Sequence, residues 1–423
     1  MTQSNDSTHL MQKDDRALAS ARLLRDAGDT DLAPKTSMPS STRKTASAWP
    51  IPCWRSWGAS MAGLRQSRGA LTGKALWPLR LGVGCCVLLA LVVLSGCAGL
   101  PELFTQAPQP TDRFVLADAD TDVIGQVQYV VAREEDTLPD FARRYGLGHD
   151  EIVAANPDVD PWLPGAGTRV VLPTRFVLPD APREGIVLNL ATLRLFYYPP
   201  AEDGAPQVVI THPVGIGREG WRTPLGRMRI TEKRENPTWR PPASVRREHA
   251  KAGDPLPAIV KAGPDNPLGA HAMRLSRPSY LLHGTNKPYG VGMRVSHGCV
   301  RLYPEDIAEL FAEVPVGTDV RIINQPYLAG WNDGLLHLEA HEPLAEDARR
   351  WKGSLAPMER VIEAAAGDAP DAVDWQQAQE VARQAQGIPV PVSPGAPGLD
   401  RLLADARRVP RMPPWPEPEP TAD

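Results

Sequence analysis

HGTNKPYGVGMRVSHGCVRL, residues 283–302, is the stretch on which the reading of this chain turns. A thiol at its free pKa of about 8.5 is mostly protonated at neutral pH, so a nucleophilic cysteine needs an adjacent base or cation. Cys299 has two histidines near it in sequence, His297 and His283. His297 lies too close along a tight loop to be taken as the base, and fits better as a residue that orients the loop or helps to stabilise an oxyanion. His283 follows Tyr280-Leu281-Leu282, an apolar strand end able to hold the ring against the thiol. The Gly284 carbonyl can fix the tautomer of a histidine ring, the part played by the third member of a triad. Gly298 allows close backbone approach or a positive φ beside the nucleophile. Backbone N–H groups around Gly298 and Cys299, next to Ser296, can form an oxyanion and substrate-binding turn. Arg301 puts a fixed positive charge two residues past the thiol, suited to a substrate carboxylate. Taken alone, a cysteine is usually a small buried hydrophobe. A zinc site built from His283, His297 and Cys299 lacks a recognised ligand spacing, so neither a metal nor a cofactor is expected. A papain-like protease would place its cysteine before its histidine, and here the order is reversed.

Upstream of this stretch the pattern is β-rich. Ile186–Leu190 and Leu193–Tyr197 flank Ala191-Thr192 as a hairpin-like pair, and 208–210 and 228–230 continue the run. Turns rich in Gly, Pro and Asn separate them, which predicts an all-β domain with long functional loops over about residues 183–323. One helix follows the key motif. Pro304 stands at its start, and Ile307, Leu310, Phe311 and Val314 recur at helical spacing. Residues 324–345 predict a further hairpin. Residues 346–423 predict an acidic helical stretch and then, from Pro389, a proline-rich tail expected to be largely disordered.

Before the β-rich domain, residues 127–174 predict a compact strand–helix–helix–strand unit. Thr137 can cap the first helix, whose apolar face is Leu138, Phe141, Ala142 and Tyr145. The second helix carries Ile152 and Val153 and stops at Asn156-Pro157. Residues 97–126 show little periodicity and read as a tether.

Residues 81–94, LGVGCCVLLALVVL, are uncharged. That run is short for a spanning helix, which needs about 18 apolar residues or more, and fits a signal-peptide core of about 7–15 residues. Leu94-Ser95-Gly96-Cys97 follows at once and resembles the bacterial lipobox, in which the cysteine is acylated and becomes the new N-terminus. Residues 1–96 would then be removed. Met61 would open a conventional basic leader, so residues 1–60 read as a mis-assigned start or a dispensable extension. More than one lipid chain is needed for firm membrane attachment. By resemblance to lipoproteins with this motif, an aspartate after the cysteine would favour the inner membrane; Ala98 stands there, so the resemblance implies the periplasmic face of the outer membrane.

Composition agrees. The 423 residues are 42% hydrophobic and 23% charged, which excludes a polytopic membrane protein and a wholly disordered chain. The net charge of −4 excludes a strongly basic nucleic-acid binder, and five cysteines exclude a disulfide-stapled scaffold. The charge is divided unevenly: residues 1–96 carry 12 Lys/Arg against 6 Asp/Glu, and the remainder is acidic. Removal of 1–96 and lipidation of Cys97 would leave Cys299 as a lone exported thiol, worth reading as reactive.

The string His283-Gly284 … Ser296-His297-Gly298-Cys299-Val300-Arg301 resembles the catalytic motif of the L,D-transpeptidase (YkuD domain) family. The blocks 217–220, 223–226, 236–239 and 262–269 are similar to the ErfK/YbiS/YcfS/YnhG branch. Tyr129-x-Val131, Asp136-Thr137-Leu138, Ala155-Asn156-Pro157 and Leu163-Pro164-Gly165 resemble a LysM module, with Glu135 replacing the usual glycine. The resemblance implies a β-sandwich-like catalytic domain with one main helix, preceded by a sugar-binding βααβ module. It implies Cys299 as nucleophile and His283 as general base and acid, with Gly284 supplying the orienting carbonyl. His297, Gly298 and Cys299 would line the oxyanion site. It further implies peptidoglycan tetrapeptide stems as donors, with a second stem or an outer-membrane lipoprotein as acceptor. Two alternatives are a hydrolase of the same fold and a non-catalytic wall-anchoring lipoprotein.

Overall fold

A computed structural model describes residues 112–413 apart from 119, 202 and 203. The signal core, Cys97 and residues 414–423 lie outside the described residues.

The chain enters the fold earlier than the sequence suggests. Within the expected tether, β1 (Arg113–Val115) pairs antiparallel with residues 208–210, and β2 (Val123–Gly125) pairs with residues 175–177. The Phe114 ring meets Phe176 edge-on at 6.5 Å. Three-residue strands are too short to show alternation, and an open sheet edge recruits them.

The compact unit has the predicted order of elements: β3 (Gln128–Val131), α1 (Leu138–Arg144), α2 (His149–Ala155) and β4 (Arg169–Leu172), the two strands antiparallel. Thr137 Oγ1 accepts from the Asp140 N–H at 3.2 Å, which caps α1. Asn156 ends α2: its amide donates to the Ile152 and Val171 carbonyls and accepts from the Val171 N–H, each at 2.8 Å. β5 (Arg175–Val177) follows.

The large sheet is then laid down by β6 (Gly185–Asn189), β7 (Arg194–Tyr198), β8 (Val208–Pro213), β10 (Gly226–Glu235), β11 (His271–Leu275), β12 (Leu281–His283), β14 (Val300–Arg301) and β15 (Asp319–Ile323). A short β9 (Ile216–Gly217) pairs apart from it with β13 (Arg294–Ser296). With β1 the order across the sheet is β1-β8-β7-β6-β15-β10-β11-β12-β14. The pairs β15–β6 and β12–β14 are parallel and the others antiparallel. β10 joins the two halves. Residues 226–229 pair with β15 and residues 230–235 with β11, and the register shifts between Ile230 and Glu232, where the sheet turns.

Alternation gives this sheet two apolar faces. Ile186, Leu188, Leu195, Ile230, Met273, Leu282 and Val300 face inward onto Ile307 and Leu310 of α4 (Pro304–Glu313), the helix predicted after the motif. Val187, Phe196 and Val209 point the other way, onto Phe141, Phe176 and the rest of the compact unit's core. α3 (Ala243–Lys251) lies in the 236–269 insertion between β10 and β11.

Several contacts fasten the compact unit to the catalytic domain, among them Arg143 with Glu305 and the Tyr303 hydroxyl with the Leu147 carbonyl. The backbone N–H groups of His149 and Asp150, at the start of α2, donate to the Val291 and Gly292 carbonyls at 3.1 Å, satisfying donors a helix start leaves open. A Cβ on Gly292 (φ +80°) would stand 2.3 Å from the Gly148 Cα. Beside this seam, Arg194 Nη2 and Nε bind the Glu151 carboxylate at 2.6 and 3.0 Å, with side chains only 1% and 6% exposed.

The C-terminal region departs from expectation. The predicted hairpin is present as β16 (Tyr327–Asn332) and β17 (Leu335–Ala340). Beyond it, α5 (Ala345–Trp351), α6 (Ala356–Ala366) and α7 (Trp375–Gln384) pack on that hairpin. The proline-rich stretch is structured as far as residue 413: β18 (Val390–Pro391) adds to β17, and after α8 (Leu399–Ala404), β19 (Arg407–Arg408) pairs with β3. Ile388, Val390 and Val392 are buried there. Composition hid this because the neighbours that order the segment come from distant parts of the chain.

Candidate active site

His283 and Cys299 come together through the parallel pairing of β12 with β14, in which Leu282 faces Val300 and His283 faces Arg301. Both line a cleft of about 970 Å³ together with Trp221, Tyr280, His297 and Arg301.

The His283 ring is buried, with Nδ1 2.6 Å from the Gly284 carbonyl oxygen. A carbonyl only accepts, so Nδ1 carries the proton and Nε2 keeps its lone pair. Burial above all, and then the charge of Arg301, pull the ring down to about 3 against the opposing pull of Gly284. At neutral pH it is an uncharged base with one fixed tautomer. The thiol of Cys299 donates to the Ser279 carbonyl at 3.5 Å. Burial pushes its pKa up, while a bond from the Leu281 backbone and the Arg301 charge oppose that shift. The resting pair is therefore thiol and neutral imidazole. Arg301 is half-buried, its Nε finds no partner, and no carboxylate pairs with it among the described residues.

The turn between β13 and β14 is held from within. Ser296 Oγ donates to the Cys299 carbonyl at 2.6 Å and accepts from the Gly298 N–H at 3.1 Å. The Gly298 amide, expected at the oxyanion, is thus engaged inside the turn. Gly298 has φ +105°, and a Cβ there would press on the Tyr280 ring at 3.1 Å. Thr223 Oγ1 donates to the Gly298 carbonyl and accepts from the Gly217 N–H, both at 3.0 Å. His297, also expected at the oxyanion, faces α3. Its Nε2 lies 3.3 Å from Glu248 Oε2 and from Arg218 Nη2, and Trp221 meets the ring edge-on at 4.8 Å.

The sequence blocks quoted around the motif converge here. Asn266 donates to the Pro237 and Lys261 carbonyls, closing the 236–269 insertion on itself. Gly269 sits so close to Thr285 that a Cβ would lie 2.8 Å from its N–H nitrogen. Motif reading missed Thr223, Tyr280, Glu248 and the Ser279 carbonyl as individual contributors. Their contacts with the turn cross the sequence, so no local spacing announces them.

Comparison with known proteins agrees with this geometry. The YkuD family, described as the L,D-transpeptidase catalytic domain, matches residues 183–322. "Probable L,D-transpeptidase ErfK/SrfK" of Salmonella typhimurium is 42% identical over 284 residues, 66% of this chain and 90% of that protein. "Probable L,D-transpeptidase YbiS" of Escherichia coli is 41% identical over 67% of this chain and 90% of that protein. "Probable L,D-transpeptidase YcfS" of the same species is 43% identical over 56% and 75%. With relatives 41–42% identical over 90% of their length, and with the thiol and the tautomer-locked neutral histidine both inside the matched residues 183–322 of a mainly β catalytic fold, this chain belongs to the L,D-transpeptidase family of transferase enzymes.

Proposed function

We propose that this enzyme is a peptidoglycan L,D-transpeptidase working through a thioester on Cys299. The observation that carries the reading is His283: its Nδ1–H is committed to Gly284, and the free lone pair of its Nε2 shares the cleft with the thiol. Nε2 takes the thiol proton, and the sulfur attacks the carbonyl of the third-position diaminopimelate in a tetrapeptide stem. Imidazolium formed in that step donates its proton to the departing D-alanine amine, which leaves a thioester. An acceptor amine then gives its proton to Nε2 and takes the acyl group, restoring the thiol. Arg301, which has no carboxylate partner among the described residues, receives a carboxylate of the donor stem. The Cys299 N–H is the backbone donor for the oxyanion, since that of Gly298 is engaged by Ser296. The acceptor is a diaminopimelate side chain or a lysine of an outer-membrane lipoprotein.

In the same reading residues 127–174 are a LysM module that grips the glycan backbone. Lipid on Cys97 holds the enzyme at the periplasmic face of the outer membrane. The test is incubation of the purified protein with disaccharide-tetrapeptide, followed by mass spectrometry. D-alanine release, an acyl adduct on Cys299 and a cross-linked product are expected, and all three vanish in Cys299→Ala. Identical products from wild type and Cys299→Ala refute the reading.

A further inference from the structure

The C-terminal region touches the catalytic loops through one carboxylate. Glu346, at the start of α5, is 15% exposed and its partner Arg294 21%, while Arg222 is 62% exposed, so the Arg294 pair is the stronger of the two. Glu346 lies 3.2 Å from Arg222 Nε and 3.3 Å from both Nη1 and Nη2 of Arg294. Among the described residues neither arginine has another carboxylate partner. Burial works against the charge of Glu346, but its own backbone N–H together with Arg294 and Arg222 holds the carboxyl below the usual range.

The two arginines belong to the two segments that clamp the nucleophile turn. Arg294 opens β13, which ends at Ser296, and the Ser296 hydroxyl bonds both the Cys299 carbonyl and the Gly298 N–H. Arg222 belongs to the 217–223 loop. The Trp221 and Arg222 carbonyls lie 3.5 Å from where a Gly298 Cβ would stand, and the next residue, Thr223, bonds the Gly298 carbonyl. Arg349, one helical turn after Glu346, reaches Glu219 of the same loop at 2.9 Å, although that pair is exposed and adds little.

We propose that Glu346 is a positioning residue for the reaction: it ties the 217–223 loop to β13 from outside the catalytic domain and so holds the Cys299 turn in its reactive geometry. The inference rests on Cys299 being the nucleophile. Glu346 touches neither substrate nor thiol; its effect passes through Arg222, Arg294 and the Ser296–Gly298–Thr223 bonds. Misplacing a reacting group by about 1 Å costs on the order of 100-fold in rate. A loosened turn that keeps its fold should lose on the order of tenfold.

The experiment compares full-length wild type, Glu346→Gln, Glu346→Asp and Cys299→Ala, using disaccharide-tetrapeptide as donor. Each protein's folded fraction is measured by circular dichroism. Glu346→Gln should lower kcat on the order of tenfold, with KM within about twofold and the melting curve nearly unchanged. Glu346→Asp, which keeps the charge, should recover most of the loss. A Glu346→Gln kcat within twofold of wild type overturns the proposal. So does a loss that the folded fraction accounts for in full, or an Asp variant as slow as the Gln variant. If Cys299→Ala is as active as wild type, the nucleophile reading itself fails. If it is inactive while Glu346→Gln is normal, only the positioning role fails.

Discussion

The substitution Glu151→Gln should loosen the compact unit from the catalytic sheet. Glu151 receives Arg194 Nη2 and Nε at 2.6 and 3.0 Å and also accepts from the Gly148 N–H at 2.9 Å. The Arg194 guanidinium is further held by the Gly146 carbonyl at 2.9 Å and lies over the Phe176 ring at 4.1 Å. Glutamine keeps the shape but removes the negative charge, leaving a guanidinium enclosed without its counter-ion. Breaking one side of a buried pair costs about 3–5 kcal/mol. Removing both charges should cost far less, because desolvation of the pair offsets much of its attraction. Denaturant unfolding of wild type, Glu151→Gln and the double variant Glu151→Leu/Arg194→Met measures both quantities. Limited proteolysis should find the 127–174 unit cut first in the single variant. A Glu151→Gln loss under about 1 kcal/mol, or a double variant as unstable as the single one, would show that the pair does not fasten the seam.

Three further outcomes follow from the same geometry. The buried His283 ring stays neutral down to about pH 3, whereas in the unfolded chain it takes a proton near 6.5. The unfolded state therefore binds more protons between those values, so this group makes stability fall as pH drops from 6.5 towards 3; at pH 5 the loss is about 2 kcal/mol. His212, raised by Asp306 and Glu309 against its burial, works in the opposite sense, so the readout is the difference between wild type and His283→Gln in their change from pH 7 to pH 5. Parallel pH dependences would contradict the assignment. Gly292→Ala should destabilise by about 1–3 kcal/mol, because the new Cβ meets the Gly148 backbone at a positive φ that resists adjustment; thermal unfolding checks it. Arg301→Gln should raise KM for the tetrapeptide more than it lowers kcat, and equal KM values for the two proteins would remove Arg301 from substrate binding.

Much of the site was legible because its chemistry is written locally. The segment Ser296–Arg301 puts the thiol, the flexible Gly298 and the cation in one turn, and Leu281–Leu282 announces the strand that carries His283. The hairpin of β6 and β7 was legible for a similar reason: each strand is a solid apolar run, fitting a sheet covered on both faces. What stayed hidden depends on distant partners. β1 is ordered by β8, and Pro391 enters a strand because β17 offers an edge where a missing N–H is tolerated. The sequence leaves His297 as a residue that orients the loop or helps to stabilise an oxyanion, and gives no sign of what its ring meets. Its surroundings are set by Glu248, 49 positions away.

The parallel pairing of β12 with β14 separates what this enzyme must keep from what it can vary. His283 ends β12 and Cys299 stands one residue before β14, so how base and nucleophile are placed follows the register of these two strands and not the contour length of the 284–298 connection between them. Within that connection the stretch 286–290 can gain or lose residues without changing this register, provided Val291 and Gly292 still meet α2 and Ser296 still holds the Cys299 turn. Changes in loop length there would alter the cleft wall, to which Asn286 and Lys287 contribute, while the two strands that carry the reacting pair keep their register.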